Sequence, residues 1–250
     1  MTDIVETIDW RGEAVACGTC PHQGVARCKP SHACMQDRYA RRIDRFFDWN
    51  PQAANSHLTH PHFEVRAIAA KHADLFLLPP LLQDEDETVR WNAARRLPVN
   101  YCLRLRDDPH REVRIRVATR LEGAELAPML ADPDYYVRLV VARRIPVALL
   151  PRLIRDGEAE IRRVVATRLG VEHLLLLATD TDELVRREVA QRLPADLLTR
   201  MVRDEDWRVR LEVAERGPRA GAAALRDDPD PLVAQAAHQR LAAGPALVVP

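Results

Sequence analysis

The sequence predicts an all-α solenoid of about eight 24-residue repeats, each an α-helix followed by a short 3₁₀ segment, with a small Cys-rich module in front. Three observations carry that prediction. Val65-Arg66 recurs as Val89-Arg90, Val113-Arg114, Val137-Arg138, Ile161-Arg162, Val185-Arg186 and Val209-Arg210, each step 24 residues, and Val233-Ala234 continues the series without the arginine. An uninterrupted period of this length marks a fold in which each unit buries its apolar face against its neighbours. Aromatic residues make up only 5% of the chain and proline occurs 18 times, which suits close-packed helices joined at prolines better than sheets. Finally, a helix of roughly 13 residues leaves about 11 for the return at a rise near 1.5 Å per residue. That is too few for a second three-turn helix and two turns, so a 3₁₀ turn fits.

Residues 1–16 are weakly patterned and remain unassigned. The next stretch carries Cys17, Cys20, Cys28 and Cys34 among Gly18, Pro21, Gly24 and Pro30, and reads as a tight loop region. A helix follows over 35–49, with Tyr39, Ile43, Phe46 and Phe47 on one stripe. Asn50-Pro51 ends it, and it is expected to cover the apolar end of the solenoid. The domain boundary is therefore drawn between 1–50, the Cys-rich module with its capping helix, and 51–250, the repeats.

Within a repeat, Asp132-Pro133-Asp134 reads as a helix start, with Asp132 as N-cap, Pro133 in the first turn and Asp134 facing the positive end of the dipole. Asp recurs at 84, 108, 132, 156, 180, 204 and 228, and only His60 departs. Val137, Val141, Ala142 and Ile145 form the inward stripe. The Ala142 position is also Ala at 70, 94, 118, 166, 190 and 214, small enough for neighbouring helices to approach. Arg-Leu-Pro, as at 96–98 and 192–194, closes the helix because proline cannot continue it. Leu149-Leu150 and Leu153-Ile154 supply the apolar side of the return. The Leu-x-Leu strand with its Asn, typical of ordinary leucine-rich repeats, is not found. Leu247-Val248-Val249 is expected to close the far end or to meet a partner.

The chemistry lies before residue 50. Four cysteines spaced C-x2-C-x7-C-x5-C, with no secretory pattern at the N-terminus, point to a metal in a reducing cytoplasm rather than to disulfides. Structural zinc commonly uses two short Cys pairs, and only Cys17 and Cys20 form one. An iron–sulfur cluster tolerates the looser remainder, and Cys20-Pro21 echoes ferredoxin runs. Spacing alone leaves iron–sulfur and zinc both open. From Arg27 to Arg45 six cations face two carboxylates; they suit a net-negative cluster, or simply a solvated helix face.

A Cys-rich stretch followed by 24-residue repeats of the Asp-Pro-Asp-x-x-Val-Arg-x-x-Val-Ala-x-Arg-Leu-Pro type resembles the leucine-rich repeat variant family. The resemblance covers nearly the whole chain. It implies a right-handed superhelix of alternating α and 3₁₀ helices and a [4Fe–4S] cluster held by Cys17, Cys20, Cys28 and Cys34. It supplies no catalytic activity, and none is expected. The function expected is a repeat scaffold that binds another protein along the solenoid surface, with an electron-transfer or redox-sensing role for the cluster. The alternative is a structural cluster capping a pure interaction scaffold, and the second alternative a nucleic-acid-binding helical repeat protein.

Other residues read as framework. Cys102 occupies a return position that is Leu at 78, 126, 150, 174 and 198, hence a core thiol. His57, His60, His62 and His72 cluster in the first repeat; His60 and His72 break the repeat rule, which suggests a polar junction or a second metal site. The arginine rows suggest phosphate binding, but Asp86-Arg90, Asp134-Arg138, Glu158-Arg162, Asp182-Arg186 and Asp206-Arg210 sit acid-first at i,i+4, so pairing on one helix is expected and nucleic acid is not. The late arginines at 96, 120, 144, 168, 192, 216 and 240 are read as bonding the last carbonyls of their own helix or a neighbouring Asp. A formal net charge of +0 argues against a polyanion-seeking chain, and no apolar run is long enough for a membrane span. No phosphate loop, nucleophile elbow or Ser-His-Asp arrangement is readable.

Overall fold

The computed structural model describes residues 7–243, in two compact units, Met1–Leu121 and Glu122–Pro250. The Leu247-Val248-Val249 segment lies outside the described residues. Among the described residues no helix is long and apolar enough to cross a membrane. Among the described residues extended pairing is confined to isolated bridges, 8 with 14, 9 with 37 and 29 with 33.

The repeat helices of the first unit are Phe63–His72, Glu87–Arg96 and Arg111–Arg120. The second holds Tyr135–Arg144, Ala159–Arg168, Glu183–Arg192, Trp207–Arg216 and Pro231–Ala242. Returns are 3₁₀ at Pro79–Gln83, Gly123–Ala131, Val147–Leu153 and Ala195–Met201; at Val99–Cys102 and Val171–Leu174 a single α-turn runs into a 3₁₀ turn, Leu103–Leu105 and Leu175–Leu177, and Arg219–Ala224 is α-helical. The stripe Val137, Val141, Ala142 and Ile145 is fully buried, as are Cys102 and the other six alanines of the Ala142 row. Replacing Ala166, 0% exposed, by Leu forces three extra carbons into a closed seam. A loss of about 1–3 kcal/mol is expected; a thermal midpoint unchanged from wild type would refute the close-packing role of this row.

Two details of the repeat differ from the reading of its sequence. The helix begins two residues later than Asp132: Asp134 is the N-cap, its carboxylate accepting from the Tyr136 and Val137 N–H groups, and Asp86, Asp182 and Asp230 do the same in their repeats. Asp132 instead folds the entry turn, accepting the Asp134 N–H at 2.9 Å. Its equivalents also receive an arginine from the repeat before.

That is the second difference. The Val-Arg arginine does not pair at i−4 on its own helix; it reaches forward 18 residues. Arg90 grips Asp108 at 2.7 Å through Nε and Nη2, and Arg138–Asp156, Arg162–Asp180, Arg186–Asp204 and Arg210–Asp228 repeat the bidentate geometry at 2.7–3.0 Å. The remaining nitrogen donates to carbonyls of the arginine's own entry turn, as Arg162 does to Asp156 and Gly157. A planar fork satisfied on both sides explains why Arg, not Lys, recurs here.

The late arginines reach backward. Arg168 donates to the Ala142 and Ile145 carbonyls, Arg192 to Ala166 and Leu169, Arg216 to Ala190 and Leu193, and Arg96 to Ala70 and Ala73. Each satisfies the carbonyls left open at the end of the preceding helix, not of its own. The exceptions His60 and His72 follow from this wiring. The first repeat has no repeat before it, so position 60 receives no forward-reaching arginine and position 72 has no earlier repeat to reach. His72 stacks on Phe47 of the capping helix at 6.3 Å, with Asp48 at 3.7 Å.

The capping helix spans Ala40–Trp49 and packs on Phe63–His72, burying Ile43, Phe46 and Phe47. It starts five residues later than the 35–49 reading because the buried Asp37 forms a turn, accepting the Tyr39 N–H at 3.0 Å and Arg42 at 2.9 Å, while the Arg38 N–H bonds the Ile8 carbonyl. Tyr39 therefore lies outside the stripe, 48% exposed beneath Arg38 and Arg42.

Candidate metal centre

Tight turns bring the four cysteines together. Cys17–Thr19 is a 3₁₀ turn closed by the Cys20 N–H on the Cys17 carbonyl at 3.2 Å, and Gln23 N–H bonds the Cys20 carbonyl at 3.0 Å. Gly24, at φ +75°, turns the chain back toward Cys28. Lys29 and Ala33 exchange backbone bonds of 2.9 and 2.8 Å around Ser31, a left-handed residue (φ +59°) whose N–H is held by Thr7 Oγ1 at 2.7 Å. Asn50, 1% exposed, clamps the loop to the capping helix: its amide accepts the Arg27 N–H at 2.8 Å and donates to the carbonyls of Arg27 and Phe46 at 2.7 and 2.8 Å. The sequence presents Asn50 only as a helix stop.

All four cysteines line one cavity of about 220 Å³, with His22, Gln36, Met35 and Phe46 in its wall. They are free thiols; Cys17 and Cys28 are exposed, Cys20 and Cys34 half-buried. Burial pushes the Cys34 thiol up to about 11; the Gln36 N–H counters this, while Asp37, Cys17 and Cys20 add to it. Gln36 Nε2 donates to Cys20 Sγ at 3.4 Å. Among the described residues no three His, Cys, Asp or Glu side chains converge closely enough for a single metal ion. The cavity exceeds by more than tenfold the roughly 10–15 Å³ that one water-sized sphere occupies, so the thiols surround a space for a larger group. Soft thiolates alone suit zinc, copper(I) or iron–sulfur.

Of the first-repeat histidines, His57 reaches this wall. Its Nε2 lies 3.1 Å from His22 Nε2, and its Nδ1 lies 2.6 Å from the Ala53 carbonyl. That carbonyl requires a proton on Nδ1, so in the neutral pair His22 is the donor. His22, which nothing in the spacing singles out, is held below the usual histidine range by burial and then by His57; burial does the same to His60. His60 Nδ1 accepts the His62 N–H at 3.0 Å, and His62 stacks on Trp10 at 5.3 Å. These four histidines and Trp10 join the module to the first repeat. A second metal site is not found among the described residues.

Two of the cations counted in the sequence, Arg27 and Arg45, meet at Trp49 and His32. Arg45 donates to the His32 carbonyl and ring at 2.8 and 3.0 Å, Arg27 lies over Trp49 at 5.7 Å, and His32 packs on Trp49 at 5.7 Å. His32 is held below its ordinary value, by desolvation and then by Arg45, Lys29 and Arg42. Both carboxylates of the stretch are engaged, Asp37 by Arg42 and Asp44 by Lys71, each at 2.9 Å.

Comparison with known proteins finds relatives of both the Cys-rich segment and the repeats. Residues 7–56 match the family model described as "LRV protein FeS4 cluster". A solved structure described as a leucine-rich repeat variant with a novel repetitive protein structural motif is 41% identical, with a TM-score of 0.82 over 91% of this chain and 99% of that one. An uncharacterized 27.7 kDa protein from the nifB 3′ region of Rhodobacter capsulatus is 46% identical over 102 residues, 40% of this chain and 42% of that protein. The match thus spans less than half of that curated relative.

Proposed function

This chain belongs to the leucine-rich repeat variant family, and on that premise we propose that it is an iron–sulfur repeat scaffold in which Cys17, Cys20, Cys28 and Cys34 hold a [4Fe–4S] cluster. The observation that carries the reading is that all four thiols line one cavity within the span of the FeS4 family model. Such a cluster supplies one-electron transfer at a potential set by its hydrogen bonds, net charge and exposure. The chain's own residues bear on each of these. Gln36 directs an N–H at Cys20, Cys17 and Cys28 lie on the exposed side, and Phe46 and Met35 supply an apolar inner wall. The repeats offer a surface to another protein. Six Val-Arg arginines are already bonded to Asp, which supports a protein-binding over a phosphate-binding solenoid.

Anaerobic purification with iron, sulfide and zinc analysis tests this reading. About four irons and four sulfides per chain are expected, with an EPR signal that appears and disappears reversibly on redox cycling. Zinc with neither iron nor sulfide would overturn it.

A specific observation also favours a structural role. No residue between 8 and 32 is buried, so this stretch has no apolar core of its own. If Cys28→Ser unfolds the module while no redox couple is detectable by voltammetry, the cluster serves folding, as small metal domains do.

A further inference from the structure

The solvent-facing side of the thiol cavity, at Cys28, carries a group of cations that make no ion pair among the described residues. Cys28 is exposed and sits between two exposed cations, Arg27 and Lys29. Arg45 closes over His32 beside them, and Arg38 and Arg41 stand exposed at the start of the capping helix. Of the carboxylates on and before the capping helix, Asp37 and Asp44 are bonded to Arg42 and Lys71, and Asp48 turns to His72 at 3.7 Å. The solenoid differs: there the recurring arginines close on aspartates at 2.7–3.0 Å. An uncompensated patch survives against a formal net charge of +0 for the whole chain. Apolar surface lies within it. Val25 is 81% exposed and Trp49 is half-buried under Arg27. The inner wall, Cys20 and Cys34 against Gln36 and Phe46, faces the capping helix, so the Cys17–Cys28 side is the approach open to another molecule.

We infer that this rim, Arg27, Lys29, Arg38, Arg41 and Arg45 around exposed Cys28 and Val25, is a docking face for an acidic electron-carrier protein. The inference rests on the iron–sulfur reading above. It adds that the redox partner binds at the cysteine end and not along the repeats. Complementary charge accelerates encounter and orients partners without demanding high affinity, which suits a carrier that must leave again. Net-negative proteins with a small apolar contact fit it; basic carriers are repelled.

The test uses the full, cluster-loaded chain and an acidic plant-type ferredoxin as probe, with binding measured by fluorescence titration independently of electron transfer. Affinity is expected to fall about tenfold or more between roughly 50 and 500 mM salt, as exposed charges are screened. Lys29→Glu combined with Arg41→Glu is expected to weaken binding at low salt by a similar factor. Neither side chain forms an ion pair among the described residues, so iron content and helicity should stay at wild-type values. Arg163→Glu with Arg187→Glu, on the repeats, should leave binding unchanged. Equal binding by wild type and the rim variant, loss only in the repeat variant, or no binding overturns the inference. Salt-sensitive binding of short duplex DNA at the rim, without ferredoxin binding, also overturns it and assigns the patch to phosphates. Voltammetry of the same loaded sample separates the two readings: a reversible couple without docking retires only this inference, whereas docking without a couple retires the electron-transfer function.

Discussion

The Cys34→Ala variant is expected to lose its iron and, with it, the ordered structure of residues 7–39. Cys34 is tied into the turn that leads to the capping helix: its N–H bonds the Arg42 carbonyl at 3.2 Å and its carbonyl receives the Asp37 N–H at 3.4 Å. The segment before it buries almost nothing, so the thiol-lined cavity stands where other small domains keep an apolar core. Cluster binding and module folding should therefore be one equilibrium. Iron per chain, visible absorption and limited proteolysis of the N-terminal region check it. Cys102→Ala serves as control; it removes a fully buried sulfur from a return segment and should cost stability but no iron. Full iron content in Cys34→Ala would remove this cysteine from the ligand set.

The second large effect is expected at the inter-repeat arginines. In Arg162→Met, the Asp180 carboxylate keeps the Asp182 N–H as its hydrogen-bond donor among the described residues, and the Asp156 and Gly157 carbonyls lose the arginine. Both side chains are mostly buried, 12% and 6% exposed. Leaving one member of such a pair uncompensated costs about 2–4 kcal/mol, while Arg162→Met with Asp180→Leu should recover part of that loss. Urea unfolding of the four proteins in this cycle measures the coupling; a single variant as stable as wild type would show that the pair contributes nothing. The same contacts set the acid response. Burial would raise the carboxyls of Asp156 and Asp180, but hydrogen bonds from Arg138 and Arg162, from the Glu158 and Asp182 N–H groups, and the nearby arginine charges together outweigh it, and Arg210 is the leading cause at Asp228; all three lie below the ordinary carboxylate value. A depressed folded value contributes stability that is complete above the unfolded value near 3.9 and is lost as pH falls through the folded one. The repeats should thus hold their helicity at about pH 5 and lose it progressively below about pH 4, and Asp228→Asn should shallow that dependence.

The division between sequence and tertiary structure runs along the range of each interaction. Periodicity, the buried stripe, the alanine row, the 3₁₀ returns and the grouping of four cysteines depend on spacing within one repeat or one loop, and all can be read from the chain. Which aspartate caps and which receives an arginine cannot. Asp132 and Asp134 are both helix-start residues by type, and an arginine at i+4 is a plausible partner for the second; stacking decides the matter by bringing a carboxylate 18 residues away closer than the one on the same helix. His60 and His72 illustrate both sides. Their departure from the period is visible in the sequence, but its cause, the absence of a preceding repeat to send or receive an arginine, exists only in three dimensions. At the metal centre the sequence identifies Cys17, Cys20, Cys28 and Cys34 as a group. The fold alone adds His22, Gln36 and Asn50, because what selects them is a hydrogen bond across the loop and no spacing rule encodes it.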